Sequence, residues 1–398
     1  MKELPKGSVV FKHLPQDFIV EEIWGNEICR ISDTLESLKN HNTDIGKLTL
    51  VDRKPFLTCD LEKSDIDHFT ALSILAKELH NLPHELGYAG TKDKVAWTCQ
   101  RISIFNADID RIKSFSFPGI VLKNFKWAKH KIKIGDATGN RFRVVLRDVD
   151  EAALKILSRM RNTESFPNYF GPQRFGSLRK ENVHIGTLIV KQKFEEAVFA
   201  YLTTFGDNES EEIKTAKKRL KAEKKPSEAK NYFPQELTAE CRILDHLSRH
   251  EKDWIGALQT IGEKALLIMC QSVQSIIFNE VLEKALDENL RINNASIPLV
   301  GYNSRFSLGR LGEIEKEVVK AHNLERKDFF VPQIPFLSLK SSLRNACFKV
   351  NNFSIETEDD DIFKPSKKIV LTFTLDSGTY ATTFLEAFFT LRSTTNTL

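Results

Sequence analysis

Apolar and polar residues alternate with two different periods along this chain. A period of two, expected of a strand with one buried face, runs from Thr98 to Phe105 and from Asn140 to Leu146. In the first run Thr98, Gln100, Ile102 and Ile104 share a face, and Cys99, Arg101 and Ser103 take the other. In the second, Asn140, Phe142, Val144 and Leu146 share a face. Phe18-Ile19-Val20 is a β-prone run and predicts another strand. The helical period appears at Ile66, Phe69, Leu72, Leu75 and Leu79, which predicts one buried helix face with Ser64 as its N-cap. Asp150 to Met160 predicts an amphipathic helix.

The texture changes near Leu178. Helical patterns then dominate, at 194–204, 234–249 and 261–286, up to about Leu337. Strand-like alternation returns at 346–353 and 368–375, and a last helix is expected over 380–391. No repeat of fixed period is present. This order predicts a discontinuous first domain, 1–177 with 338–398, interrupted by a mainly helical domain over 178–337.

Composition narrows the function classes. The chain has 398 residues, 41% hydrophobic and 28% charged, enough to bury a sizeable core. Lys plus Arg number 58 against 54 for Asp plus Glu, a formal net charge of +4. Any nucleic-acid affinity must therefore come from local positive charge. No uninterrupted apolar stretch of about 18 residues occurs, so no membrane span is expected. The N-terminal MKELPKGSVVFKHLPQDF has no apolar signal core, and a cytoplasmic protein is expected. The six cysteines form no C-x-x-C pair, and the His80/His84 and His246/His250 pairs lack further ligands at metal-site spacing. Neither a metal nor a disulfide framework is expected. The absence of a G-x-x-x-x-G-K-[ST] loop and of a strand–G-x-G-x-x-G–helix unit argues against nucleoside triphosphate or dinucleotide use.

Three segments carry candidate chemistry. Gly87 to Lys94 places Asp93 between Lys92 and Lys94 in a loop bracketed by Gly87 and Gly90, just before the Thr98 strand. Nearby cations keep a carboxylate ionised, and glycine permits close backbone approach to a ligand. A simple solvated turn has the same composition. Asn168 to Gly176 gathers aromatics, an arginine and amides, the residues that stack on unpaired bases and read their edges, although a turn with aromatic anchors fits too. Lys123, Lys126, Lys129, Lys131 and Lys133 interleave with Phe125 and Trp127, as on a phosphate-binding stripe or on a lysine-defended sheet edge. The run Lys214 to Lys225 and the acidic tract Glu358 to Asp361 are expected to be solvated.

Together these segments resemble the TruD family of RNA pseudouridine synthases. The family pattern G-x-K-D-[KR]-x-A-x-T-x-Q is met at every fixed position by Gly90 to Gln100, and P-N-Y-F-G-x-Q-R-F-G by Pro167 to Gly176. The family's basic element ending in G-N-x-F resembles His130 to Phe142, and its D-F-x-V-x-E element resembles Asp17 to Glu22. Weaker likeness extends to Gln274-Ser275 with Phe278-Asn279, to Pro298–Tyr302 and to Gly378–Thr382. The chain departs from the pattern at Asp376, at Glu386-Ala387 and over Ser32 to Leu57. The long insertion looks closer to archaeal and eukaryotic members than to bacterial ones.

The resemblance implies an α+β fold, a mixed, largely antiparallel sheet with helices, plus an inserted mainly helical TRUD-type domain. It implies an isomerase that cleaves the N1–C1′ bond of a uridine in tRNA, position 13 by expectation, and rejoins the base through C5. Asp93 would be the catalytic carboxylate, acting at C1′ or at C2′. Phe142 would stack on the flipped uracil, Asn140 would hold the Asp93 loop, and Asn168, Gln173 and Arg174 would line or brace the pocket. Lys92, Phe18 and Glu22 are further pocket candidates, and Lys126, Lys129 and Lys131 would meet the RNA backbone. A monomer with tRNA as its partner is expected, with no cofactor, metal or membrane. A non-catalytic RNA-binding protein and a metal-dependent RNA nuclease are the alternatives; the intact Asp93 motif argues against the first, and the lack of clustered carboxylates near Asp93 against the second.

Overall fold

The computed structural model describes residues 6–393 apart from 39–44, 46–47, 49–51, 164, 177–180 and 207–208. Part of the poorly matching stretch Ser32 to Leu57 lies outside the described residues. The chain forms two compact units: Pro167–Cys347, and Lys2–Phe166 with Phe348–Leu398. The helical insertion read as 178–337 falls inside the first of these.

The discontinuous unit is built on one large sheet. Its main strands run in the order Asn351–Asp359, Lys367–Asp376, Gly139–Val149, Phe18–Trp24, Trp97–Phe105, Phe56–Ser64, Ile120–Ala128. Every neighbouring pair is antiparallel except Phe18–Trp24 with Trp97–Phe105, which is parallel. Directly opposed residues share a face of a sheet. The register therefore puts Lys63, Thr98, Val20, Phe142 and Phe373 in one row across five strands.

Two apolar clusters cover that face. One gathers Phe18, Val20, Phe142, Val144, Leu371 and Phe373 with Phe384, Leu385 and Ala153 from two helices, Ala381–Glu386 and Glu151–Asn162. The other gathers Leu57, Cys59, Leu61, Ile102 and Ile104 with Leu72, Leu75 and Ala76 of the helix His68–Glu78. On the Trp97–Phe105 strand, Thr98 and Gln100 are the buried polar residues of this face, and Lys63 and Glu22 join them from its neighbours.

Three local expectations need correction. The N-cap of the His68–Glu78 helix is Asp67, whose carboxylate accepts from the amides of Phe69 and Thr70, and not Ser64. Ser64 is still sheet, its amide bonded to the carbonyl of Gly119, and the chain turns only at Asp65, where φ is +55°. Phe69 is accordingly 52% exposed. The last helix stops at Glu386, and Phe389–Arg392 is a strand paired in parallel with Gly7–Phe11. The acidic tract is only partly solvated. Asp360 is 1% exposed and accepts from Arg147 and from the amides of Asp148, Ile362 and Phe363.

The other unit packs around the helix Glu263–Asp287. That helix is long and apolar enough to cross a membrane by length and composition alone, and 61% of its most apolar window is buried inside the protein. It crosses the helix Asn182–Val190 so closely that a Cβ on Gly186 would lie 2.1 Å from the carbonyl oxygen of Met269. Lys217, within the run expected to be solvated, is buried on the helix Glu211–Glu223 and paired with Glu209.

Asp360 gives a stability test. Asp360→Ala leaves the buried Arg147 guanidinium with fewer acceptors and three amides without one, and should cost about 3 kcal/mol in urea unfolding. Asp361→Ala removes an exposed carboxylate from the same guanidinium and should cost under ~1 kcal/mol.

Candidate active site

The loop that joins the short strand Leu86–Tyr88 to Trp97–Phe105 is held from beneath. Lys92 points inward. Its Nζ lies 2.7 Å from Glu22 Oε1, and both side chains are almost wholly buried. Glu22 Oε2 also accepts from Trp24 Nε1 at 2.8 Å and from the amide of Arg101 at 3.0 Å. Asp93, the next residue, faces outward, its side chain 47% exposed, with Oδ1 3.2 Å from Lys12 Nζ. Lys12 in turn sits 4.2 Å above the ring of Phe18, a cation–π contact. Phe18 is tilted against Phe142, and Phe142 stacks on Phe373 at 5.2 Å between ring centroids. An outward carboxylate, its ammonium partner and an aromatic cluster thus form one continuous set of contacts.

Beneath the loop lies a second polar group. Lys63, with no exposed surface, donates to the carbonyls of Ile66 and Asp93, each at 2.7 Å. Gln100 Nε2 donates to the carbonyl of Gly90 at 3.0 Å. A Cβ on Gly90 would meet nothing within 4 Å, so the loop is open to solvent on that side. His68 is 1% exposed and packed against Tyr88, and among the described residues neither ring nitrogen has a partner at full hydrogen-bond geometry. Thr98 Oγ1 and Gln100 Oε1 are likewise buried without partners. Burial and the Lys63 charge pull the His68 imidazole down to about 4.

The structure places the sequence candidates unevenly. Phe18, Glu22, Lys92 and Asp93 come together as described. Phe142 is beside them but only 6% exposed, part of an aromatic cluster and not an open platform. Asn140 stands opposite Glu22 in the sheet, yet its Oδ1 is buried without a partner. The loop is tied by Gln100 and Lys63, and the holding role expected of Asn140 is not seen.

Asn168 and Arg174 are engaged within the Pro167–Cys347 unit. Asn168 Oδ1 accepts from Arg344 at 2.6 Å, and Arg174 donates to Ser275 and Gln271. Gln173 lies in the short turn Pro172–Phe175, and its side chain is outside the described residues. Of the basic stripe, Lys123 is committed to the buried Glu62, Lys126 pairs with Glu27 at 3.0 Å, Lys131 donates to the carbonyl of His84, and Lys129 and Lys133 are exposed.

Lys12 and Lys63 were not singled out by motif or spacing. Each is far from Asp93 along the chain, and only sheet register brings them to it. A buried lysine within an apolar strand was the available signal for Lys63. Among the described residues, no group of three or more His, Cys, Asp or Glu side chains could hold a metal ion.

A family model described as tRNA pseudouridine synthase D (TruD) matches residues 2–297 and 293–388. The chain belongs to the TruD family. As a TruD member it is a pseudouridine synthase. A relative from Methanopyrus kandleri, named Probable tRNA pseudouridine synthase D, is 31% identical over 346 residues, covering 84% of this chain and 85% of its own. One from Methanocaldococcus jannaschii, named Probable tRNA pseudouridine synthase D 1, is 28% identical over 397 residues, covering 96% and 95%. A crystal structure of a Methanosarcina mazei chain bearing the TruD name shares 25% identity, with a TM-score of 0.74 over 97% of this chain and 94% of that one. The TruD fold so matched is the α+β architecture with a large mixed sheet expected above.

His68 provides a pH test at this site. Its folded pKa lies below the ordinary histidine value, so the unfolded chain takes up the proton first as pH falls, and stability declines between about 6.5 and about 4. From pH 7.5 to pH 5 the parent should lose about 2 kcal/mol more than a His68→Leu variant, read by urea unfolding.

Proposed function

We propose that this chain isomerises a uridine of tRNA to pseudouridine, with uridine 13 as target and Asp93 as the catalytic carboxylate. The observation that carries the proposal is the outward Asp93 carboxylate, paired with Lys12 and flanked by the Phe18–Phe142–Phe373 cluster. Lys12 sets a positive charge 3.2 Å from the carboxylate that does the chemistry. The carboxylate then either attacks C1′ or takes the C2′ proton as the N1–C1′ bond breaks. The freed uracil turns and its C5 bonds to C1′, displacing the carboxylate oxygen in the first route, or with the carboxyl returning its proton to C2′ in the second. The C5 proton leaves to solvent and N1 gains one, so no cofactor or metal is consumed.

The target base must leave its stack to reach Asp93. Phe142, 6% exposed within its aromatic cluster, must be uncovered for the base to stack on it, and Asn140 Oδ1, without a partner among the described residues, is an acceptor for the base. Lys126, Lys129 and Lys131 meet phosphates, worth most at low salt. Asn168 and Arg174 brace their own unit through Arg344, Ser275 and Gln271, and Gln173 belongs to the same motif.

Release of tritium from tRNA carrying 5-tritiated uridine reads the reaction directly. Asp93→Asn should fold, bind tRNA as the parent does and release no tritium above background; turnover near the parent rate would remove Asp93 from its role. Lys12→Met should slow release by about 10²-fold through loss of the charge beside Asp93. Addition of EDTA should leave the rate unchanged, and chemical mapping of the product should place the new pseudouridine at position 13.

A further inference from the structure

Lys63 is an unusual residue for a central strand. Its strand, Phe56–Ser64, is paired on both sides, and Lys63 itself stands opposite Thr98 and Ile120. The side chain is fully buried, and no carboxylate lies within ion-pair distance of its ammonium among the described residues. Its hydrogen-bond acceptors are two carbonyls, those of Ile66 and Asp93. A buried charge without a counter-ion is costly to hold. Two carbonyls alone do not require one, since a neutral amide donor would satisfy either of them. One of the two belongs to the peptide of Asp93 itself, and the other precedes the capping Asp67.

We propose that Lys63 is a positioning residue for the isomerisation, tying the Asp93 peptide to the rigid sheet and so fixing the direction of the Asp93 carboxylate. This rests on the proposed role of Asp93. The sheet is stiff at this point and the loop is not part of it, so the ammonium is the link at the Asp93 peptide itself, beside the Lys92–Glu22 pair one residue earlier. Gln100 performs the lesser version of the task at Gly90, where the backbone is farther from the reacting group.

Charge makes the link sensitive to pH. Burial pulls the Lys63 ammonium down to about 8, while Asp93, Asp67 and Asp65 hold it up and Lys92 pushes it down. His68, which faces it from the adjacent helix, is uncharged at neutral pH. Lys63 is therefore protonated at neutral pH and loses its proton as pH rises through about 8. The amine that remains still reaches both carbonyls but without charge assistance, and a charge-assisted hydrogen bond is roughly twice as strong as a neutral one.

The test combines single-turnover tritium release, tRNA binding and amide hydrogen exchange on the full chain. Lys63→Gln and Lys63→Met should lower the single-turnover rate by about 10²-fold, the scale of a reacting group displaced by an ångström. The tRNA Kd should stay that of the parent, and exchange should quicken over 90–97 while the rest of the sheet keeps its protection. In the parent, the rate should fall above pH 8 without a matching loss of binding, and that limb should vanish from the residual activity of Lys63→Gln. A Lys63→Gln rate equal to the parent's, or unchanged exchange over 90–97, would overturn the proposal. Should Lys63→Met not fold, Lys63→Gln and the parent's own pH profile decide. If Asp93→Asn retains turnover, the role of Asp93 fails on its own evidence, and loop exchange in Lys63→Gln still reports whether Lys63 is the anchor.

Discussion

The buried pair between Lys92 and Glu22 constrains the Asp93 loop. Glu22 is fixed by the Phe18–Trp24 strand and by donors from Trp24 and Arg101, so Lys92 has one place to go. Lys92 points inward and its neighbour Asp93 outward, where it meets Lys12. The adjacent lysine and aspartate of the motif thus do separate jobs, one anchoring the loop and one presented at the surface. A buried ion pair gives little net stability after desolvation. Its value here lies in setting the direction of the residue beside it.

The same logic accounts for the modest formal charge of +4. Lys63, Lys92 and Lys123 are positive groups turned into the protein, and Lys12 is spent on Asp93. Carboxylates meet most of them, chiefly Glu22, Glu62 and Asp93. Cationic side chains are therefore used twice in this unit, as internal fasteners at the sheet and as exposed charge along the stretch from Lys126 to Lys133. A count over the whole chain sums both and reveals neither.

Much of the sheet was legible because its central strands alternate cleanly. Trp97–Phe105 and Gly139–Val149 lie where the period of two put them, Phe18–Trp24 where the β-prone run did, and Asp150 caps the Glu151–Asn162 helix through a bond to the Ala153 amide. What local pattern missed has a common cause: the deciding partner was distant. Ser64 and Asp67 are both good capping residues, and only the pairing of Ser64 with a far strand leaves Asp67 as the cap. Phe389–Arg392 continues a helical pattern until its partner Gly7–Phe11 is considered. Asp360 reads as one acid among four, yet it alone of them is buried, where Arg147 and three amides donate to it. The Asp93 loop was found from its motif; its braces, Lys12, Lys63 and Gln100, emerge only from the register between strands.

The discontinuous sheet also sets the order in which the enzyme can come into being. Phe142 pairs with Phe373 and Gly7 with Phe389, each across the whole helical unit. During synthesis the Asp93 loop, Lys12 and Lys63 emerge early, but the strand that carries Phe142 waits with an open edge until Lys367–Asp376 arrives. An unpaired edge is a template for the wrong partner. A nascent chain halted inside the helical unit would thus hold every charged group of the site together with Phe18 and Phe142, but lack Phe373, on which Phe142 stacks. The sheet behind the Asp93 loop is completed only by strands made long after the loop itself.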